Sequence, residues 1–164
     1  MPFVIFRVDN RLVHGQVFTW ISKLKLNLVI VANDRVCEDL IQQSLIMLAT
    51  ETVFQKSVKV IFTKICEAVS KLEQEEFLNC RILLLVDSLQ DALLLIDSGL
   101  KVNSINIGGL YNQEGKNKVE YTPSLFLNNE DIQIIETLIK RNILVSPEPL
   151  PDDSKIDILK LIRR

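Results

Sequence analysis

The stretch Phe3-Val4-Ile5-Phe6-Arg7-Val8-Asp9-Asn10-Arg11-Leu12-Val13-His14-Gly15-Gln16-Val17-Phe18-Thr19-Trp20-Ile21 reads as a strand, a polar loop and the start of a helix. Phe3 to Phe6 is an apolar run of strand length, and Val17 to Ile21 is helix-like. The loop between them carries His14, the only histidine in the chain, with Arg7, Asp9 and Arg11 just ahead of it. A strand that runs directly into a helix is the first half of a βαβ unit, so this stretch sets the fold class.

The same alternation continues outward. Short apolar runs read as strands near residues 28–32, 58–62, 81–86, 104–107 and 143–145. Segments of helical period lie between most of them. This argues for an α/β sandwich of three layers, a mostly parallel central sheet with helices on both faces. Arg81 to Val86 is the most apolar run and is expected at the centre. Asn33 or Asp34 is expected to cap a helix whose first turn holds Glu38 and Asp39 and whose inward face holds Val36, Leu40, Ile41, Leu45 and Leu48. Thr63 is expected to cap the next helix. Ser88 to Asp91 resembles a capping box, and its helix stops at Ser98-Gly99. Residues 112–117 are polar and turn-rich, the expected tip of a hairpin before a strand near 118–121. Asn128 or Asn129 is expected to cap a helix with Ile132, Ile135, Leu138 and Ile139 on one face. Pro147, Pro149 and Pro151 hold the following segment extended. A last helix is expected from Asp153 or Ser154, with Ile158, Leu161 and Ile162 inward.

The 164 residues make one domain, 1–164, large enough to bury a core; 48% are apolar and 24% charged, a globular balance. A formal net charge of −2 gives no basic field for nucleic acid or anionic membrane. No apolar run is long enough to span a bilayer, and no leader is visible at the N-terminus. Three widely spaced cysteines, Cys37, Cys66 and Cys80, are read as buried thiols of a reducing cytoplasm. One histidine without a CxxC pair argues against a zinc site.

In open parallel sheets ligands bind beyond the carboxyl ends of the strands. The His14 loop, the Ala32-Asn33-Asp34 turn and Gly108-Gly109 all fall at such ends and are expected to meet over one crevice, with Asp34, Gly108 and Gly109 on its rim. Imidazole can act there as base, metal ligand or nucleophile. No G-x-S-x-G elbow supplies a serine for the first, and no second histidine supports the second. A nucleophile for a phosphoryl group needs less: an open ring nitrogen, a helix start and arginines. The backbone N–H groups of Gly15, Gln16 and Val17 open the helix and suit an anion. Arg11 and Arg7 are planar forks that fit phosphate oxygens, and Asp9 can tie down an arginine or the imidazole. Each residue has a plainer reading too. Arg7 can pair with Asp9 or Asp34, Gly108-Gly109 can be an ordinary turn, and Trp20 belongs in the core.

The run R-V-D-N-R-L-V-H-G-Q-V (residues 7–17) resembles the active-site signature of the IIB component of the mannose/fructose/sorbose class of the bacterial phosphoenolpyruvate-dependent sugar phosphotransferase system, which usually reads R-I-D-D-R-L-I-H-G-Q-V. Residues 29–34, 102–118 and the P-D-D-S-K-I-D near the C-terminus are similar to further family stretches. The resemblance covers essentially the whole chain. It departs at Asn10, where a second acid is usual, and at Leu110-Tyr111-Asn112, where Gly-Gly-Met is usual. It implies a mostly parallel α/β sheet with one antiparallel strand. It also implies that His14 accepts a phosphoryl group from a phosphohistidine of a IIA protein or domain, through Nδ1, and passes it to a hexose-type sugar in the IIC/IID membrane permease. Arg11 and Arg7 would steady the group and Asp9 would orient the loop. No metal or nucleotide cofactor is implied. The location implied is cytoplasmic, against the permease, without insertion in the membrane. Serving two protein partners requires an open surface around His14. Two other readings use the same residues: a regulatory phosphohistidine carrier, and a noncatalytic α/β scaffold.

Overall fold

The computed structural model describes residues 2–163. In chain order the elements are β1 (Phe3–Asp9), α1 (Gly15–Leu24), β2 (Leu28–Ala32), α2 (Asp34–Cys37), α3 (Leu40–Phe54), β3 (Lys59–Thr63), α4 (Ile65–Leu72), β4 (Arg81–Val86), α5 (Leu89–Asp97), β5 (Ser104–Gly109), β6 (Val119–Thr122), β7 (Leu125–Leu127), α6 (Asn129–Lys140), β8 (Leu144–Pro147) and α7 (Ile158–Ile162). Six strands form one sheet in the order β3-β2-β4-β1-β5-β8, and every pairing in it is parallel.

The side-chain period of two divides the sheet's residues between two cores. Phe6, Val8, Ile30, Leu84 and Val86 face α4, α5 and α6, while Val29, Val31, Leu83 and Leu85 face α1, α2 and α3. The most apolar strand, β4, lies between β1 and β2 as its sequence requires. From β1 the chain crosses by α1 over one face, and from β4 by α5 over the other. These neighbouring strands therefore send their connections apart, which opens a crevice beyond their carboxyl ends. His14 lies on the loop that leaves β1.

Several expectations are corrected. The antiparallel pairing is a separate two-stranded ribbon, β6 with β7, and not a strand of the main sheet. Its turn is at Pro123-Ser124, so residues 112–117 are a connecting loop and not the hairpin tip. Leu110 ties the ribbon to the end of β5: its N–H donates to the Ser124 carbonyl (2.9 Å) and its carbonyl accepts from Phe126 (2.8 Å).

The single helix expected after β2 is two helices. Asn33 caps the first, and Asp39 accepts from the Gln42 amide (3.0 Å) to cap the second. The second cap restarts the helix, so α3 does not continue the expected face. Leu40, Ile41, Leu45 and Leu48 are 62–76% exposed, and Ile46 and Thr50 are the buried residues of α3. Thr63 does not cap α4; the Asp34 carboxylate accepts from the Ile65 amide (2.8 Å) across from β2. The final helix starts later than expected, capped by Asp157. The cysteines are free thiols but none is buried, Cys66 being exposed and the other two partly covered.

Other signals are met. Ser88 and Asn128 cap α5 and α6, the latter with a full capping box through Asp131. Gly99 takes φ +103° after α5, a conformation that glycine adopts without a Cβ clash. Pro147 sits in β8, the edge strand, where a missing N–H is tolerated.

Candidate functional site

Asp9 is the hub of the loop. It ends β1 and is fully buried. Its backbone carbonyl accepts from the Leu12 amide (2.9 Å) and its Oδ1 from the Arg11 amide (3.1 Å), so one residue shapes the whole turn. Leu12 takes φ 56°, a strained value for a branched side chain. It is held there because its side chain is buried with Val17 and Ile21 of α1.

His14 is the N-cap of α1, extended at φ −155°, and its side chain makes no capping bond. The imidazole reaches back instead: Nε2 lies 2.7 Å from Asp9 Oδ2. A carboxylate only accepts, so Nε2 carries the proton and Nδ1 keeps its lone pair. Among the described residues Nδ1 has no hydrogen-bond partner, and the one buried side-chain polar atom without a partner is Arg7 Nε. Nδ1 is therefore open to solvent. The side chain is 18% exposed.

Burial alone would raise the Asp9 carboxyl. The hydrogen bond from His14 and, when the ring is cationic, its charge, then Arg7 and the Arg11 amide, outweigh burial and hold Asp9 below the ordinary carboxylate pKa. Asp9 thus stays ionised as the acceptor for Nε2.

Arg7 departs from its expected place as a phosphate ligand. It is fully buried beneath the loop. Nη1 donates to Asn106 Oδ1 (2.5 Å) and the Glu148 carbonyl (3.1 Å); Nη2 donates to Asp9 Oδ2 (3.2 Å) and the Pro149 carbonyl (3.0 Å). Its guanidinium also lies 5.2 Å from the Trp20 ring, and Trp20 Nε1 donates to the same Pro149 carbonyl (2.9 Å). With these donors committed, Arg7 is a clamp on Asp9. Burial lowers its pKa and Asp9 counters that; a guanidinium remains charged regardless.

Arg11 is the cation left free to work. Its side chain is 38% exposed, with Nη2 donating to Gln16 Oε1 (2.8 Å) and Nε 3.5 Å from Asp9 Oδ1. Its Cζ sits 4.2 Å from the centroid of Tyr111. Of the three helix-start amides expected to take an anion, that of Val17 is bonded to the His14 carbonyl (3.0 Å). Gly15 and Gln16 keep amides without an internal acceptor among the described residues.

Gly108 and Gly109, expected on a crevice rim, are buried at the end of β5, and their reason is steric. A Cβ on Gly108 would overlap the Arg7 guanidinium, and one on Gly109 would overlap the Tyr111 ring. The Gly109 carbonyl also accepts from the Asn10 amide (2.9 Å). Asp34 does not join the His14 loop through any hydrogen bond or ion pair among the described residues. It caps α4 and stands near Asp87 and Asp91.

Burial, and then the carboxylates of Asp87 and Asp34, push Asp91 up to about 6. An acid whose folded pKa is raised costs the fold stability progressively as pH rises above its unfolded value of about 4, and the cost is complete above the folded value of about 6. Asp91→Asn is expected to stabilise the protein at pH 8 by about 1–2 kcal/mol, and to be neutral at pH 4. Urea unfolding at both pH values checks this; equal effects at both would contradict it.

Asn106, Trp20, Glu148, Pro149 and Tyr111 complete the site without having been singled out as site residues. A buried arginine demands acceptors, which is a signal that some exist but not where. Two of them are backbone carbonyls, which leave no mark in side-chain chemistry.

With this geometry in place, comparison with known proteins is direct. The family model for the "PTS system sorbose subfamily IIB component" matches residues 3–164. The N-acetylgalactosamine-specific phosphotransferase enzyme IIB component 2 of Escherichia coli is 32% identical over 164 residues, covering 99% of this chain and 100% of that one. The mannose-specific EIIAB component of Escherichia coli is 26% identical, and its match covers 100% of this chain but 49% of that protein. The crystal structure of the IIBSor domain of the Klebsiella pneumoniae sorbose permease superposes with a TM-score of 0.86 at 25% identity, over 99% of this chain and 97% of that one. A signature loop at the carboxyl edge of a parallel sheet and a family match from end to end agree: the chain belongs to the sorbose subfamily of IIB components of the sugar phosphotransferase system.

Proposed function

We propose that this protein is a phosphoryl carrier in which His14 Nδ1 takes a phosphoryl group from a phosphohistidine of a IIA protein or domain and delivers it to a hexose-type sugar in a membrane permease. The observation that carries this reading is the 2.7 Å contact between His14 Nε2 and buried Asp9, with Nδ1 open. In the first step the Nδ1 lone pair attacks phosphorus, the donor N–P bond breaks, and its electron pair returns to the donor imidazole. Asp9 balances the positive charge that the His14 ring then carries. Arg11 and the amides of Gly15 and Gln16 meet the phosphoryl oxygens, a task of positioning and charge stabilisation. In the second step a sugar hydroxyl attacks phosphorus, its proton leaves to solvent, and the His14–phosphorus bond electrons return to Nδ1.

The fused EIIAB name of the mannose relative supports a IIA donor. The sugar names of the relatives support a sugar acceptor, and IIC/IID permease components are the membrane partners of this reading. Among the described residues no helix is long and apolar enough to cross a membrane. This suits a cytoplasmic component docked on a permease. The reading treats 1–164 as one domain and calls for no metal or nucleotide.

Incubation with phosphoenolpyruvate, the general phosphotransferase proteins and an active IIA is expected to give wild type an acid-labile phosphoryl adduct by intact-protein mass spectrometry. His14→Ala is expected to carry none. An equal adduct on His14→Ala, or none on wild type, would contradict the reading.

A further inference from the structure

We propose that Tyr111 is a positioning residue for phosphoryl transfer, its ring fixing the Arg11 guanidinium at the His14 loop. The proposal rests on His14 being the phosphoryl acceptor. Arg7 has its Nη donors committed below the loop, so the charge available to a phosphoryl group is that of Arg11. Arg11 is a long, partly exposed side chain with much rotamer freedom to lose on binding an anion. Holding it in place beforehand shifts that loss out of the transfer step.

The ring is suited to this. Arg11 Cζ lies 4.2 Å from the Tyr111 centroid. Stacking occupies the face of a guanidinium and leaves its edge N–H donors for oxygens. Gln16 Oε1 at 2.8 Å and Asp9 Oδ1 at 3.5 Å limit the remaining motion.

Tyr111 is itself held from three directions. Asn10 Nδ2 donates to its carbonyl (2.8 Å). Leu110, just before it, is bonded on both sides to the β6–β7 ribbon. Gly109 lacks a Cβ where the ring lies. An aspartate at position 10 has no N–H to offer the Tyr111 carbonyl. The two places where this chain departs from the usual family pattern, Asn10 and the segment after Gly109, are thus one device. The ring does the holding, since the Tyr111 hydroxyl has no hydrogen-bond partner among the described residues.

The test is rapid-quench measurement of phosphoryl uptake from phosphorylated IIA for wild type, Tyr111→Leu, Tyr111→Phe, Arg11→Ala and the Arg11→Ala/Tyr111→Leu double variant. Tyr111→Leu is expected to lower the saturated rate about three- to thirtyfold, with KM for IIA little changed. Tyr111→Phe, which keeps the ring, is expected to restore it. The double variant is expected to match Arg11→Ala alone, because a residue that acts through Arg11 has nothing left to do without it. Tyr111→Met replaces Tyr111→Leu should that variant not fold. A saturated rate unchanged by loss of the ring overturns the proposal. So does a loss confined to KM, which would make Tyr111 a docking residue, and so does additivity in the double variant. A wild type that takes no phosphoryl group overturns the reading of His14 and this proposal together.

Discussion

Asp9→Asn is expected to slow phosphoryl uptake by His14 by about 10²–10³-fold, with the protein still folded. The carboxylate does two things that an amide of the same shape cannot. It accepts only, and so fixes the proton on Nε2 and the lone pair on Nδ1. It is also a full negative charge, buried against a ring that becomes cationic on phosphorylation. An asparagine can turn its NH2 toward Nε2, which moves the ring proton to Nδ1 and removes the nucleophile. Rapid-quench kinetics with phosphorylated IIA check the rate, and a loss under tenfold would contradict it. The pH dependence follows from the same carboxylate. The folded pKa of Asp9 is depressed. Its contribution to stability is therefore full above the unfolded value of about 4, and disappears as pH falls through the folded one. The stability difference between wild type and Asp9→Asn is expected to shrink in that acidic range.

Arg7→Ala is expected to cost about 3–5 kcal/mol of stability, the largest single loss at the site. Removing the guanidinium takes the buried counter-charge from Asp9 and leaves Asn106 Oδ1 without its donor, while the Glu148 and Pro149 carbonyls each lose one of two donors. A cavity opens where Gly108 had made room for it. Arg7→Lys is expected to recover little. One ammonium cannot reach Asp9, Asn106, Glu148 and Pro149 from one place, and it does not stack on Trp20 as a planar group does. Urea unfolding measures the loss; a cost below about 1 kcal/mol would show that the clamp is dispensable.

The parts legible in the sequence are those where one local signal decides. Leu28–Ala32 and Arg81–Val86 are continuous apolar runs, and both are strands with those bounds. Ser88 and Asn128 carry their own caps. The harder parts depend on competition or distance. In residues 34–54 a second cap, Asp39, breaks what reads as one helix, and α3 is apolar nearly all round, so its period does not select an inward face. Thr63 was the nearer cap for α4, but Asp34 reaches it from the start of α2. At the site, His14, Asp9 and Arg11 lie within six residues and declare themselves as a group. Arg7 stands in the same run, yet whether it faces a ligand or the interior depends on Asn106 and Pro149, 99 and 142 residues away. Periodicity within one strand does not carry that information.

The most direct test of the central claim is heteronuclear 31P/15N NMR of the enzymatically phosphorylated, 15N-histidine-labelled protein. With a single histidine in the chain, the spectrum reports His14 alone. The Asp9 contact to Nε2 requires the phosphoryl group on Nδ1, with Nε2 still protonated. A phosphoryl group on Nε2 would contradict the assignment of Asp9 as the acceptor that leaves Nδ1 free to react.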